Sequence, residues 1–401
     1  MTLVPGQAKK RDRIFSIVLL AVLLILMLLP TGYKRQLYRN SQEVRAEIVE
    51  VYNDYLYQTG MVYQGEQSCL IRILNGSHKG ELVTGIRLMV GSVERDVIFK
   101  PGDIAFAILE QDDDGNVTFA TLVDQYRLHV EALLFLIFAV LLILFAGTTG
   151  MRTILSFALT LVALWKVLIP GLLRGWPPML LALALGCFIT ITTLLLVGGF
   201  TPKSYSAIIS AVLSAFCTFV IAIVFTDVFK LSGTVMQESE GLLHAGYFNL
   251  NLKEIFQSAI YLSCSGAVMD LAIDISSALE EVQEHSPDIT RTKLFASGLR
   301  IGRQVVGTQT STLLLAYIGN YLATLMVFMA QGTSLSTILT SRTIAAEILS
   351  TFVGCIGIVL VSPLTSLVSA FLFTRGRHGH GKRGGREAAA KTEVVVVEQD
   401  G

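Results

Sequence analysis

Charge is scarce in this chain. Asp, Glu, Lys and Arg make up 15% of its 401 residues, while 52% are hydrophobic. Soluble domains carry about 25% charged residues, so this is not the composition of a soluble globular protein. Acidic and basic residues number 31 each. The basic ones flank apolar segments instead of forming a basic domain, which excludes nucleic acid as a partner. Cysteine is sparse as well. Cys187, Cys217, Cys264 and Cys355 lie in apolar segments and Cys69 stands alone in the polar region, so no disulfide framework exists and each reads as a small buried hydrophobe. No Gly-x-Ser-x-Gly elbow, His-Glu-x-x-His, phosphate loop or ATP-binding module is present. Neither a catalytic site nor a cofactor is therefore expected.

Long uncharged runs fill the space that charge leaves. Lys9, Lys10, Arg11 and Arg13 precede an apolar run over 14–30 with no small-x-small cleavage site after it, which reads as an uncleaved anchor behind a basic cytoplasmic N-terminus, 1–13. Further candidate spans cover 129–146, 153–170, 178–197, 207–226, 255–279, 308–330 and 344–373. With the anchor they predict about eight transmembrane helices, seven of them in a domain over 129–373. Loops that alternate onto the N-terminal side hold Arg152, Lys203, Arg291, Lys293, Arg300 and Arg303, and the tail over 374–401 holds Arg375, Arg377, Lys382, Arg383 and Arg386. That bias places both termini in the cytoplasm and the tail as a disordered basic segment, in which His378 and His380 need no metal. Lys166, beside Trp165, is explained by snorkelling to the interface.

The one long polar region, 31–128, reads as a small all-β extracytoplasmic domain, an OB-like barrel or a sandwich. Candidate strands are Arg45–Val51, Ser68–Leu74, Asp96–Phe99, Ile104–Leu109 and Val117–Val123, with turn signals at Asn75-Gly76, Pro101-Gly102 and Asp114-Gly115. The acidic run at Asp112 lacks the spacing of a calcium loop and is a solvated hairpin turn. The segment 227–254 suits an interfacial or re-entrant helix. Its lone His244 gives no metal site.

One stretch concentrates the chemistry. At helical spacing Ser263, Gly266, Ala267, Asp270, Asp274, Ser277 and Glu281 share a face, and Val268, Leu271, Ile275 and Leu279 share another. Such a helix could divide lipid from a protein interior. An Asp at mid-membrane costs about 2.5–3.5 kcal/mol on insertion scales, so several along one stripe need partners, water or a cation. Two further stripes carry Gln304, Gly307, Thr308, Ser311 and Asn320, then Glu347, Ser350, Gly354 and Gly357. Small residues at these steps also serve helix packing, the role expected of Gly266, Gly302, Gly307 and Gly354. An inner-face latch of Arg300 or Arg303 on Asp274 or Glu281 is the structural alternative to a cation or proton site.

Gly266-Ala-Val-Met-Asp270 with Ile275-Ser-Ser-Ala, and Gly302-Arg303 through Gly307-Thr308, Thr312-Leu313, Ala316-Tyr317 and Gly319, resemble the signature of the YibE/F-like membrane protein family. The resemblance covers about 130–373. It implies a bacterial multi-pass protein of the plasma membrane. Asp270 and Arg303 match the pattern, whereas Asp274 and Gln304 depart from it.

Three readings follow. In the first, an ion or small polar solute permeates along Asp270, Asp274, Ser277, Glu281, Arg303, Gln304, Thr308 and Glu347, drawing on a gradient or a partner subunit. In the second, the chain is a membrane scaffold or sensor, alone, as a homo-oligomer or with a membrane partner, and its β domain binds a ligand. The third, an intramembrane aspartyl protease, needs two Asp on separate helices, and Asp270 and Asp274 share one.

Overall fold

The computed structural model describes residues 5–33, 41–112 and 114–374. Lys34, Arg35, Arg39, Asp113 and the whole basic tail with His378 and His380 lie outside the described residues. The chain divides into two units, Gly32–Phe145 and Met1–Thr31 with Ala146–Gly401.

In the first unit, alternating apolar residues build five strands: β1 (Ser41–Thr59), β2 (Val62–Ile73), β3 (Leu82–Val90), β4 (Ile104–Gln111) and β5 (Val117–Gln125). They close in the order β1-β2-β3-β5-β4, with β3 and β5 parallel and every other pair antiparallel. The barrel, not the sandwich, is what forms. Ala105, Ala107 and Ala120 point inward at full burial beside Ile48, Ile71 and Leu122; small side chains suit so narrow an interior. Gly76, Gly102 and Gly115 all take positive φ at the expected turns, and Asp112 Oδ1 accepts from the Asp114 and Asn116 amides to hold the β4–β5 turn. Cys69 is buried in the barrel core, which pushes its thiol up to about 11.

Asp96–Phe99 is not a strand, and β3 stands in its place. The Phe99 amide donates to Gln67 Oε1 at 2.8 Å and its carbonyl accepts from Gln67 Nε2 at 3.2 Å, so a buried side chain satisfies the backbone where a neighbouring strand would. β3 contains Gly85, where a Cβ would lie 3.1 Å from both Ile71 and Leu122 and press on their side chains. The glycine hides the strand's alternation.

The helices are α1 (Pro5–Leu28), α2 (Leu128–Ala163), a π-helical turn at Leu164–Leu168, α3 (Ile169–Leu173), α4 (Pro178–Gly198), α5 (Pro202–Val228), α6 (Ser239–His244), α7 (Leu252–His285), α8 (Arg291–Ala330), α9 (Leu335–Thr340) and α10 (Arg342–Thr374). Six helical stretches among the described residues are long and apolar enough to cross a membrane, where eight were expected. The difference has two sources. Spans 129–146 and 153–170 fall in one helical stretch, Leu128–Leu173, whose path breaks at Gly147 (φ 56°, ψ −126°). The anchor lies in α1, where Arg11, Asp12 and Arg13 leave only a short uncharged remainder. Between the end of α5 and the start of α7, the segment 227–254 holds a 3₁₀ turn and the six-residue α6. Lys166 donates to the Leu29 carbonyl at 2.8 Å, tying the end of α1 to the π-helical turn.

Small residues hold the helices of the second unit together. Ser206, Ser210, Ser214 and Thr218 recur every fourth residue of α5, all fully buried. Ser206 and Ser369 hydroxyls meet at 2.7 Å, Thr365 donates to Ser210 at 2.9 Å, and Ser214 donates to the Gly357 carbonyl at 3.0 Å. On a neighbouring face of α10, a Cβ at Gly302 or Gly298 would run into Ser362 or Ser366. Gly354 meets Leu313, whereas Gly266 and Gly307 have open space at that position.

Gly302→Ala overpacks the α8–α10 seam and is expected to cost about 1–3 kcal/mol, lowering the melting temperature of the purified protein. Gly307→Ala, in open space on the same helix, is expected to leave it unchanged or raise it, since Ala is favoured over Gly in a helix by about 0.5–1 kcal/mol.

Candidate functional site

Asn251 starts α7 by accepting from the Glu254 amide at 3.2 Å while its Nδ2 donates to the Glu254 carboxylate at 2.7 Å. The 34 residues that follow rise about 51 Å, enough to carry a side chain from one membrane face to the other. Val268, Leu271, Ala272, Ile275 and Leu279 are buried to within 1% and form the spine of the core between α5, α8 and α10. Ser263, Gly266, Asp270, Asp274 and Glu281 lie on the opposite side and are exposed, with Ser277 half-buried. The aliphatic stripe therefore faces protein, and the acidic stripe faces away from the core.

Beside that stripe runs a groove of about 380 Å³ between α2, α4 and α7. Its surface is mostly apolar, with Phe157, Leu164, Ile189 and Leu262 in its walls, but seven hydroxyl side chains interrupt it: Thr153, Ser156 and Thr160 from α2, Thr190 and Thr193 from α4, and Ser263 and Ser265 from α7. Ser156 and Thr193 bond each other across it at 2.7 Å. Gly266 and Met269 complete the α7 wall, and Asp270 follows one helical turn after Gly266 on the same stripe. Bare of a Cβ and facing open space, Gly266 leaves the passage toward Asp270 unobstructed.

α8 flanks the stripe on its other side. The Ser263 and Tyr317 hydroxyls meet at 2.9 Å. Because α7 and α8 run antiparallel with equal rise, Asp270 comes level with Thr310 and Ser277 with Arg303. Arg303 makes no ion pair within 4.0 Å among the described residues, and neither do Asp270, Asp274 or Glu281. Arg300 donates to Ser297 at 3.3 Å. The expected latch of Arg300 or Arg303 on Asp274 or Glu281 is thus open. The ion pair near that end is Lys203–Glu280 at 3.1 Å, because Glu280 is turned about 100° from Glu281 toward α5.

Gln304 and Thr308 are exposed on the side of α8 away from its Gly302 seam, and Thr308 satisfies its hydroxyl on the Val305 carbonyl at 2.9 Å. Glu347, on α10, stands apart from the acidic stripe. The Tyr321 hydroxyl of α8 lies beside its carboxylate, and Glu347 Oε2 is buried without a hydrogen-bond partner. The structure thus joins Asp270, Asp274, Ser277 and Glu281, brings Arg303 level with them, leaves Gln304 and Thr308 on another face of α8, and sets Glu347 beyond the Ser263–Tyr317 contact. Sequence reasoning missed the hydroxyls of α2 and α4, which sit in runs of Thr and Leu that resemble ordinary spans. It missed Tyr321 too, although Tyr317 and Tyr321 one turn apart were the available signal. No group of three metal-ligating side chains occurs among the described residues.

A closed β-barrel joined to a bundle of long apolar helices, one of them carrying a free acidic stripe, defines a multi-helix membrane protein with an appended β domain. The family model described as YibE/F-like protein matches residues 134–375, and the chain belongs to that family. No curated protein and no solved structure matches the chain.

If the groove holds water at membrane depth, cysteines placed along it react with a membrane-impermeant maleimide in proteoliposomes. With the five native cysteines replaced by serine or alanine, Gly266→Cys and Asp270→Cys are expected to label readily. Ile275→Cys, on the buried stripe, is expected to label at least about 10-fold more slowly, in keeping with its fully buried site.

Proposed function

We propose that the chain conducts or transports a cation or proton across the bacterial plasma membrane, with Asp270 as the group that binds or relays it. The observation that carries this is the accessible face of α7: among the described residues Asp270 and Asp274 make no ion pair, and a groove carrying hydroxyl side chains ends one helical turn short of Asp270, at Gly266. Packing alone does not require charge in lipid, and ionisable groups there mark ion pathways. Carboxylate and hydroxyl oxygens are the ligands a hard cation prefers; the same groups can pass a proton.

In this reading Asp270 lies midway, Asp274, Ser277 and Glu281 continue the path toward the His285 end of α7, and Arg303 sets the local potential beside Ser277. Tyr317 and Ser263 extend it the other way toward Tyr321 and Glu347. Interrupted at Gly147, the stretch Leu128–Leu173 supplies the two apolar segments 129–146 and 153–170, each about 27 Å long as helix and close to the thickness of a hydrocarbon core. With α1 as an anchor that gives eight crossings, both termini in the cytoplasm and the barrel outside. No catalytic step is assigned to the chain, and the energy comes from an ion gradient or a partner subunit.

Purified protein in proteoliposomes under an imposed pH or cation gradient tests this. Asp270→Asn is expected to reduce flux at least about 100-fold, equivalent to about 2.7 kcal/mol. Asp274→Asn is expected to reduce it less. Wild-type flux with Asp270→Asn, in protein that inserts and melts normally, would refute the proposal.

A second reading is favoured by the exposed aromatic face of the barrel, where Tyr55 and Tyr57 are each 68% exposed. A scaffold or sensor would use that face, and removal of residues 41–124 would then abolish function while Asp270→Asn left it intact.

A further inference from the structure

The β1–β2 hairpin outruns the barrel it belongs to. β4 pairs with β1 only as far as Glu47, yet β1 continues against β2 to Thr59. β2 pairs in turn with β3 as far as Gln64 and Val90. A three-stranded arm results. It is bent by register shifts at Ile48/Glu50 and Tyr52/Tyr55 and by Gly65 (φ +104°), whose missing Cβ makes room for the Tyr55 carbonyl.

Two rows cross this arm, Tyr55–Glu66–Leu88 and Tyr57–Gln64–Val90. Rows two residues apart point the same way. Their apolar members are 64–68% exposed, and Met61 at the tip is 81% exposed. Nothing in the barrel covers them.

Strand direction says which end of the barrel the arm leaves from. β1 and β5 are both antiparallel to β4, so they run the same way. Ala46, Ala105 and Gln125 stand in register across the three strands. Past that level β1 runs on into the arm, while β5 ends and the chain enters α2 at Leu128, three residues later. The first half of α2 belongs to the same unit as the barrel and is apolar and exposed all round, with Leu134, Leu141 and Leu144 62–77% exposed. The barrel end that carries the arm is therefore the end from which a bilayer-length apolar helix departs.

We propose that this arm rests on the bilayer surface, its Tyr55/Tyr57/Leu88/Val90 face seated at the level of the phospholipid headgroups and glycerol backbone. Tyrosine suits that boundary because its ring takes the apolar side and its hydroxyl stays wet. Residues 48–67 hold Glu50, Asp54 and Glu66 and no Lys or Arg. Glu66 and Gln64 share the face with the four apolar side chains, and with no basic residue there to hold anionic headgroups, neutral phospholipid suffices for the contact. The arm fixes the barrel against the membrane independently of any transport by α7.

The full chain, with Trp165 and Trp176, its two tryptophans, replaced by phenylalanine, provides the test. Tyr57→Trp in that background is reconstituted in phosphatidylcholine vesicles with or without lipid brominated on its acyl chains. Its fluorescence is expected to fall about twofold or more with the brominated lipid, the behaviour of an aromatic ring in the interfacial belt. Thr118→Trp, at the start of β5 and the far end of the barrel, is expected to keep its intensity. Equal quenching of the two, or none at Tyr57→Trp, overturns the proposal. A blue-shifted Tyr57→Trp emission without quenching also overturns it and assigns the face to protein, such as a second copy of the chain. Tyr55→Trp repeats the measurement should Tyr57→Trp fold poorly.

Discussion

Helices in lipid gain little from burying apolar surface against one another, because the solvent they leave is equally apolar; they hold where backbones come close. The second unit of this protein is organised by that constraint. α10 lies between a hydroxyl ladder on α5 and a glycine pair, Gly298 and Gly302, on α8. With both seams closed, the remaining side of this trio accepts one face of α7. The aliphatic face fits it, meeting residues such as Ala207, Ala211, Ile358 and Val361. Every acidic residue of the α7 stripe is then turned away from the core by geometry alone. The orientation of the candidate site is thus a consequence of small residues on three other helices.

Those seams explain what could be seen beforehand. Apolar runs announce long helices directly, and a stripe of Asp and Ser at steps of three and four announces a two-faced helix. Which face looks inward does not follow from α7 alone. A divider between lipid and protein and a spine with a wet side have the same pattern, and the choice depends on what α5, α8 and α10 present. The ladder Ser206, Ser210, Ser214, Thr218 was available as a four-residue repeat, but it is masked by the surrounding Ala, Ile and Phe. In the barrel, alternation located four strands, and Gly85 concealed the fifth. Phe99 has the flanking pattern of a strand while its backbone is held by Gln67. Side chains that replace backbone partners are not readable from periodicity.

A single glycine with φ 56° separates one helical stretch from two, and Gly147 sits in the run Ala146-Gly147-Thr148-Thr149-Gly150, where no proline or charge marks a boundary. Hydropathy sees a dip there, and backbone assignment sees continuity. As one straight helix the 46 residues would extend about 69 Å, more than twice the thickness of a hydrocarbon core.

The absence of a latch sharpens what the acidic stripe can do. Carboxylates four residues apart on a helix stand about 6 Å from each other. If both were ionised without a counter-charge, their repulsion at an effective dielectric near 20 would be about 3 kcal/mol, before any cost of leaving water. An arginine seated between Asp270 and Asp274 would offset that cost and make the stripe structural. Arg303, the nearest candidate by helical register, is level with Ser277 instead and makes no ion pair among the described residues. Among the described residues no ion pair balances the stripe, and it faces away from the core, where water, a proton or a cation would reach it; occupancy by any of these would be linked to the protein's stability. Had the same two residues faced Ala272's side of the helix, no such occupant could have reached them, and the bundle would have had to supply the counter-charge itself.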